Sequence, residues 1–311
     1  MKKEKVIIDT DPGVDDASAL ILALFDKKLD IKLITTVAGN IPVDKATRNV
    51  CHILDLYRKD VPVARGAARA MERISEDAAF LHGKEGLGAY IPPHSTFHKE
   101  MENTDAVTEM YNVICKYPNE VSILEWGPHT NLGTLFQQHP DCIKMIKQVV
   151  FMGGSPWHDE GLPRHISFNV RTDPEAFAIV LDSGVPLVMI PSSVGRIPAR
   201  LTEEQVNQIW NINDSGRFIE KTYETYWEPD VDEKCISTND TCALFYLVYP
   251  ELFKTKNAYV SVLIEDKMGK TDVDYNEHGR IKVVYELNRE KFLKIFFTKL
   301  NELNDIKLDI L

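Results

Sequence analysis

The chain is poor in several features that would assign it elsewhere. It has no uninterrupted apolar stretch long enough to span a bilayer, which takes about 20 residues. The basic start Met1-Lys2-Lys3-Glu4-Lys5 leads into an apolar run that stops at Asp9, short of the hydrophobic region of a signal peptide. The five cysteines, Cys51, Cys115, Cys142, Cys235 and Cys242, are odd in number, scattered and never spaced Cys-x-x-Cys. That usage excludes a disulfide framework and points to free thiols in a reducing compartment, so a cytoplasmic location without a membrane partner is expected. Positive charge is scarce as well: 36 Lys and Arg against 47 Asp and Glu leave a formal charge of -11. Phosphate-backbone binding needs clustered Lys and Arg, so nucleic acid is not an expected partner. Linkers rich in Pro, Gly and Ser, low-complexity tracts and internal repeats are also missing, and residues 1–311 are expected to form a single domain.

What is present is an ordinary globular composition, 44% hydrophobic and 27% charged, at a length that can bury a large core. Its most informative stretch is Val6-Ile7-Ile8-Asp9-Thr10-Asp11-Pro12-Gly13-Val14-Asp15-Asp16-Ala17. The β-branched run Val6–Ile8 reads as a buried parallel strand, and Pro12-Gly13 breaks it sharply. From Asp15 the apolar residues Ala19, Leu20, Leu22, Ala23 and Leu24 recur at helical spacing. Four carboxylates thus gather where a strand ends and a helix begins. So close together they repel one another and resist ionisation, unless a cation lies among them or some turn outward. Oxygen-only ligands without Cys or His favour Ca²⁺ or Mg²⁺ over zinc. First-turn acids also complement a helix N-terminus, but that accounts only for Asp15 and Asp16.

Further along, strands are predicted at Ile31–Val37, Val61–Ala64, Val121–Leu124, Gln148–Met152 and Leu187–Ile190. Helices alternate with them: one capped by Asp44 and running to Tyr57, one over Ala106–Cys115, and one started by Asp173-Pro174-Glu175. Several of these strands end in polar or glycine-rich turns, at Gly39-Asn40, Gly127-Pro128 and Gly153-Gly154. The stretch from Arg65 to Pro93 has the composition of a long surface loop with short helical pieces. Thr202 and Gln205 form a capping-box pattern at the start of a more helical C-terminal part, and Asp240 falls near another helix N-terminus. Tyr259–Ile264 and Ile281–Tyr285 are expected as antiparallel strands added at one edge, with a last helix from Asn288. The expected fold is α/β: a single open, mostly parallel (Rossmann-like) sheet flanked by helices, with extra edge strands and a helical C-terminal part.

The stretch Asp9-Thr10-Asp11-Pro12-Gly13-Val14-Asp15-Asp16-Ala17 resembles the N-terminal signature of the calcium-dependent nucleoside N-ribohydrolases. The resemblance continues through Gly39-Asn40, His82-Gly83, Gly127 to Asn131, Met152-Gly153-Gly154, Phe168-Asn169, Asp173-Pro174-Glu175-Ala176 and Asp240. It implies a Ca²⁺ ion held by Asp11, Asp16, Asp240 and the backbone carbonyl of Trp126. It implies Asp11 as general base for a calcium-bound water attacking the anomeric carbon, through an oxocarbenium-like transition state. Asp15, Asn40 and Asn169 would bind the ribose 2′- and 3′-hydroxyls, with Phe168 beside them. The products would be free base and ribose, and the resemblance suggests a homodimer or homotetramer.

Departures from that family's pattern bear on both ends of the substrate. Ser167 and Gly161 stand where an acid and an Asn usually serve the ribose 5′-hydroxyl, and Arg164 and His165 lie in the same loop. A 5′-modified or 5′-phosphorylated riboside is therefore an alternative substrate. Asn239 replaces a His that precedes the last calcium Asp, and Asn cannot act as a general acid. Leaving-group activation then falls to His82, to Trp157, or to the group Tyr223, Tyr226 and Trp227. Lys84 stands where the His-Gly-Glu pattern has an acid. Two readings from other classes also follow: a non-catalytic, calcium-dependent ribose-binding protein, and an aspartyl phosphatase using Asp9-x-Asp11 with Mg²⁺. The phosphatase lacks a convincing later Lys and a second acidic strand end.

Overall fold

The computed structural model describes residues 2–74, 76–155, 166–227, 234–264 and 269–308. Its strands are β1 (Glu4–Thr10), β2 (Leu29–Thr36), β3 (Val63–Arg65), β4 (Val121–Glu125), β5 (Ile146–Met152), β6 (Leu187–Ile190), β7 (Leu201–Thr202), β8 (Cys235–Ile236), β9 (Phe253–Leu263), β10 (Lys270–Tyr275) and β11 (Ile281–Leu287). Nine of them form one sheet in the order β10-β9-β11-β6-β5-β4-β1-β2-β3, while β7 and β8 pair separately. From β11 to β3 every pairing is parallel, and β9 and β10 add antiparallel strands at one edge.

Period-two alternation along β1 sorts its side chains between two cores. Ile8 and Val6 join the cluster under the helices α1 (Val14–Phe25), α2 (Val43–Leu56), α10 (Asp214–Tyr223), α11 (Asn239–Val248) and α12 (Arg289–Asn301). Ile7 joins the opposite cluster, under α4 (Ala106–Lys116), α5 (Thr130–Gln138) and α7 (Pro174–Asp182). Residues Val14 to Leu24 of α1 are all buried, so this helix is anchored on every side. Each large apolar side chain buried this way contributes about 1.5–3 kcal/mol, which fixes the orientation of the acids at the helix start. The remaining helices are α3 (Ala79–His82), α6 (Phe168–Thr172), α8 (Ser192–Arg196) and α9 (Glu203–Trp210).

The expected fold class is the one observed, and the edge hairpin has a member that periodicity did not disclose. Strand β10, Lys-Thr-Asp-Val-Asp-Tyr, alternates polar with apolar residues at the sheet's outer edge, where its apolar signal is weak. Thr202 and Gln205 close the predicted capping box, and Asp173 caps α7 through Ala176 N–H. Asp44 behaves differently from expectation. It lies in the first turn of α2, whose N-cap is Pro42, and its carboxylate pairs with Arg65 instead of with the helix backbone.

Because β1, β2, β4, β5 and β6 run parallel, their carboxyl ends open on one edge of the sheet. Between β1 and β4 the strand order reverses, since β2 and β3 follow on one side of β1 while β4 and β5 lie on the other. Open α/β sheets bind ligands in the crevice at such a switch point.

Candidate active site

Five loops converge on this crevice. The turn after β1 carries Asp11, and Pro12-Gly13 passes the chain directly into α1, which presents Asp15 and Asp16 from its first turn. Asn40 follows β2, Trp126 follows β4, Asn169 comes from α6, and Asp240 from the first turn of α11. These residues surround a cavity of about 450 Å³, whose lining includes Asp15, Asp16, Asn40, Trp126, Asn169 and Asp240. That volume suits a small molecule of nucleoside size.

The acidic cluster is tightly organised. Asp11 is fully buried; its Oδ2 accepts the backbone N–H of Asn40 at 2.6 Å, while Oδ1 is buried with no hydrogen-bond partner. Close approach is possible only because residue 39 is glycine, as a Cβ there would lie 2.0 Å from Asp11 Oδ2. Asp16 accepts from Thr10 Oγ1 at 2.5 Å, from Gly13 N–H at 3.0 Å and from Asn40 Nδ2 at 3.2 Å. Carboxylate oxygens of Asp15, Asp16 and Asp240 lie within 4.8 Å of one another, and Asp240 Oδ1 is a second buried oxygen without a partner. Asp11 stands outside this trio but within its field. Burial and then repulsion from Asp16 raise its pKa well above the usual carboxylate range. Asp240 is raised by burial, then by Asp16, Asp15 and Asp11, and Asp16 itself is raised by burial.

Buried oxygens without partners, in an all-oxygen donor set with mutually repelling charges, fit a hard divalent cation. Asp15, Asp16 and Asp240 could hold it, with Asp11 adjacent. The Trp126 carbonyl accepts a hydrogen bond from Asn169 Nδ2, which also reaches Met152 O at 3.4 Å.

Asp9 plays no part in this cluster. Being at an alternate position of β1, it turns to the other face, where its Oδ1 accepts from Thr35 Oγ1 at 2.6 Å and Asn131 Nδ2 at 2.8 Å. Burial, then repulsion from Glu125, push its pKa up to about 7. Nearby, Glu125 Oε2 lies 2.7 Å from His129 Nδ1, both side chains fully buried, behind the strand end that presents Trp126.

His82 also reaches the cavity. Its Nδ1 accepts the backbone N–H of Val14 at 3.1 Å, which leaves Nε2 as the protonated nitrogen, and its ring tilts against Tyr226 at 5.2 Å between centroids. Burial lowers its pKa to about 3, so it is a neutral hydrogen-bond donor at physiological pH rather than an imidazolium. The pH–rate profile is therefore expected to show no His82 limb between pH 5 and 8. A limb near pH 6.5 that disappears in His82→Gln would overturn this assignment.

Tyr226 lines the cavity and shares a hydrogen bond with Ser237 at 2.9 Å, whereas Tyr223 belongs to the core and donates to Ser18 Oγ at 2.7 Å. Ser167 and Phe168 line the cavity too, and Asn239 does so with its Nδ2 3.5 Å from Asp15 Oδ2. Trp157, Gly161, Arg164 and His165 lie outside the described residues. Sequence reasoning passed over Thr10, Ser192, Arg171 and Arg196. Thr10 was legible from alternation, since it faces α1 while Asp9 faces away. The other three lie on helices whose cavity-facing sides are set by tertiary packing.

Fold and site together define a nucleoside hydrolase, an enzyme acting on N-glycosyl compounds. The chain belongs to the inosine-uridine preferring nucleoside hydrolase family, whose model matches residues 6–294. It is 35% identical over 271 residues to the non-specific ribonucleoside hydrolase RihC of Salmonella newport, covering 86% of this chain and 87% of that one. Among solved structures, the purine-preferring ribonucleoside hydrolase from Gardnerella vaginalis superposes with a TM-score of 0.88 at 26% identity, covering 98% of this chain and all of the other. A plant nucleoside hydrolase superposes with a TM-score of 0.86, also at 26% identity, covering 96% of this chain and 99% of the other.

Proposed function

We propose that this ribonucleoside hydrolase cleaves the N-glycosidic bond with Asp11 as general base, using a calcium ion held by Asp11, Asp16, Asp240 and the Trp126 carbonyl, with Asp15 beside them. The observation that carries the reading is the buried, unpartnered Oδ1 of Asp11 next to the carboxylate trio. Its other oxygen is tied to the Asn40 backbone, so the free oxygen is the one available to take a proton. Burial and the neighbouring Asp16 raise its pKa in the absence of a cation, and a cation bound beside it would lower that pKa and leave the carboxylate free to take a proton. When bound, calcium would polarise water and the ribose hydroxyls and offset the repulsion among the acids.

In the reaction, the water oxygen bonds to the anomeric carbon, its proton passes to Asp11, and the electron pair of the breaking C–N bond leaves with the base. Asp15, Asn40 and Asn169 hold the ribose hydroxyls, and the surrounding carboxylates stabilise the positive charge that develops on the sugar. Asn239 supplies no acidic proton, so His82 Nε2–H, with Tyr226 beside it, is the donor closest in character to what the leaving base requires. Phe168 and Ser167 complete the sugar side of the cavity.

The test is release of free base from a panel of purine and pyrimidine ribosides, with added Ca²⁺ and with chelator. Calcium-dependent release is the expected result. Calcium-dependent binding of ribosides without release would instead make the protein a ribose binder, consistent with Asn239 in place of an acid.

The reading extends to one functional unit over residues 1–311 and to a homodimer or homotetramer. Exposed Tyr259, Leu263, Tyr275 and Tyr285 on the antiparallel edge support association. Five free cysteines support a cytoplasmic location, and no helix among the described residues is long and apolar enough to cross a membrane.

A further inference from the structure

Glu125 ends β4 as an acid in a fully buried strand, and His129 stands just before α5; neither side chain has any solvent exposure. The loop between them is Trp126-Gly127-Pro128, and Glu125 Oε2 closes it by lying 2.7 Å from His129 Nδ1. His129 occupies the N-cap position of α5, where Ser, Thr, Asp or Asn would ordinarily bond the helix backbone, yet its ring makes no capping bond. The ring is stacked on Phe177 at 4.5 Å between centroids and set edge-on to Phe151 at 5.2 Å, which leaves its plane little freedom. Asp9 is the register partner of Glu125 across β1 and β4, but its Oδ1 is already committed to Thr35 and Asn131. Among the described residues, His129 is the side chain that meets Glu125 as an ion-pair partner.

A buried carboxyl and imidazole are a poor way to stabilise a core, since apolar side chains of similar volume often serve as well or better. What the pair encloses is more informative. Trp126 N–H bonds the Asp9 carbonyl at 2.8 Å, so β1 holds that residue on its amide side. Its carbonyl, the calcium ligand proposed above, then depends on the path of residues 127–129. That path runs close against the proposed base: a Cβ on Gly127 would lie 2.6 Å from Val37 Cγ1 and 3.1 Å from Asp11 Oδ1. We infer that Glu125 and His129 are positioning residues that hold the Trp126 carbonyl at the cation site. Their bridge fixes the loop from behind, while Val37 and Asp11 bound it in front. This inference rests on the Trp126 carbonyl as a calcium ligand, as proposed above.

Calcium titrated calorimetrically into the full chain, well below its melting temperature, provides the test, with the stoichiometry counting folded sites. His129→Leu keeps an apolar side chain against Phe151 and Phe177 but removes the bridge. It is expected to weaken calcium binding about tenfold to a hundredfold at unchanged stoichiometry, the range that outer groups orienting a metal ligand supply. That variant also leaves Glu125 buried without its partner, so Glu125→Gln/His129→Leu is measured beside it. The double variant has neither the bridge nor a lone carboxyl, and its calcium affinity should fall by a similar factor. His129→Asn, whose amide nitrogen can take the place of Nδ1, should recover part of the affinity. A double variant that binds calcium as tightly as the unaltered chain, however far its melting temperature has moved, would overturn the inference and reduce the pair to a structural element. A loss in His129→Asn as large as in His129→Leu counts against it as well. The failures are distinguishable: an unaltered chain that binds no calcium defeats the calcium-dependent reading and this inference together, whereas calcium-dependent base release that is indifferent to the bridge removes only this inference.

Discussion

Asp11→Asn is expected to lower kcat by about 10²-fold to 10⁴-fold, the range over which a positioned general base contributes. The substitution is isosteric, and the new side-chain carbonyl can still accept the Asn40 N–H that Asp11 Oδ2 now accepts. Structural collapse is therefore not the expected cause of the loss. Burial and the neighbouring Asp16 already make the charged form of Asp11 costly, so a neutral amide should leave the melting temperature unchanged or higher. Calorimetric unfolding alongside steady-state kinetics separates the two effects. An Asn variant that keeps full turnover excludes Asp11 as the base, and one that loses activity only in proportion to folded protein reduces it to a structural residue.

Removing calcium is the second large effect. Chelation is expected to abolish base release, and re-addition to restore it. Binding to the native state alone stabilises by about 2.7 kcal/mol when the free ion is at a hundred times its Kd, which appears as a higher melting temperature. The pH dependence has a definite sign. In the folded protein Asp11, Asp16 and Asp240 have pKa values raised above those of the unfolded chain, so they retain protons that free carboxylates have already lost. Their contribution to stability without the cation is present at low pH and lost as pH rises from the ordinary carboxylate range through the raised values. A cation must displace those protons, so its affinity and its stabilising effect should grow with pH. Calorimetry in buffers of different ionisation enthalpy would register the released protons. Calcium stabilisation that is flat or declining from pH 5 to 8 contradicts this cluster as the site, as does unaltered calcium affinity in Asp240→Asn.

These two predictions depend on residues that were legible to very different degrees. The acids of the first turn declared themselves, because Pro12-Gly13 between an apolar strand and an amphipathic helix compresses them into a few residues. Asp240 was another matter. Locally it is an ordinary helix-start residue, and it becomes a partner of Asp16 only because α11 packs beside α1. Asp9 shows the converse: its spacing from Asp11 invited a shared role, yet the pleat of β1 directs it to Asn131 and away from the cation cluster.

His82 and Arg171 mark the same boundary on the substrate side. Sequence could name His82 as a candidate donor, but its neutrality follows from burial and from the Val14 N–H that occupies Nδ1. Nothing in the spacing of Arg171 or Arg196 distinguishes them from surface cations, and they share a cavity because separate helices bring them there. By itself the sequence determined the α/β alternation, the strand ends that carry polar turns and the acidic signature, because those rest on local periodicity and backbone chemistry. Only the tertiary structure decided which carboxylates face one another, which histidine is neutral and where positive charge enters the cavity, because those depend on distances between segments far apart in the chain.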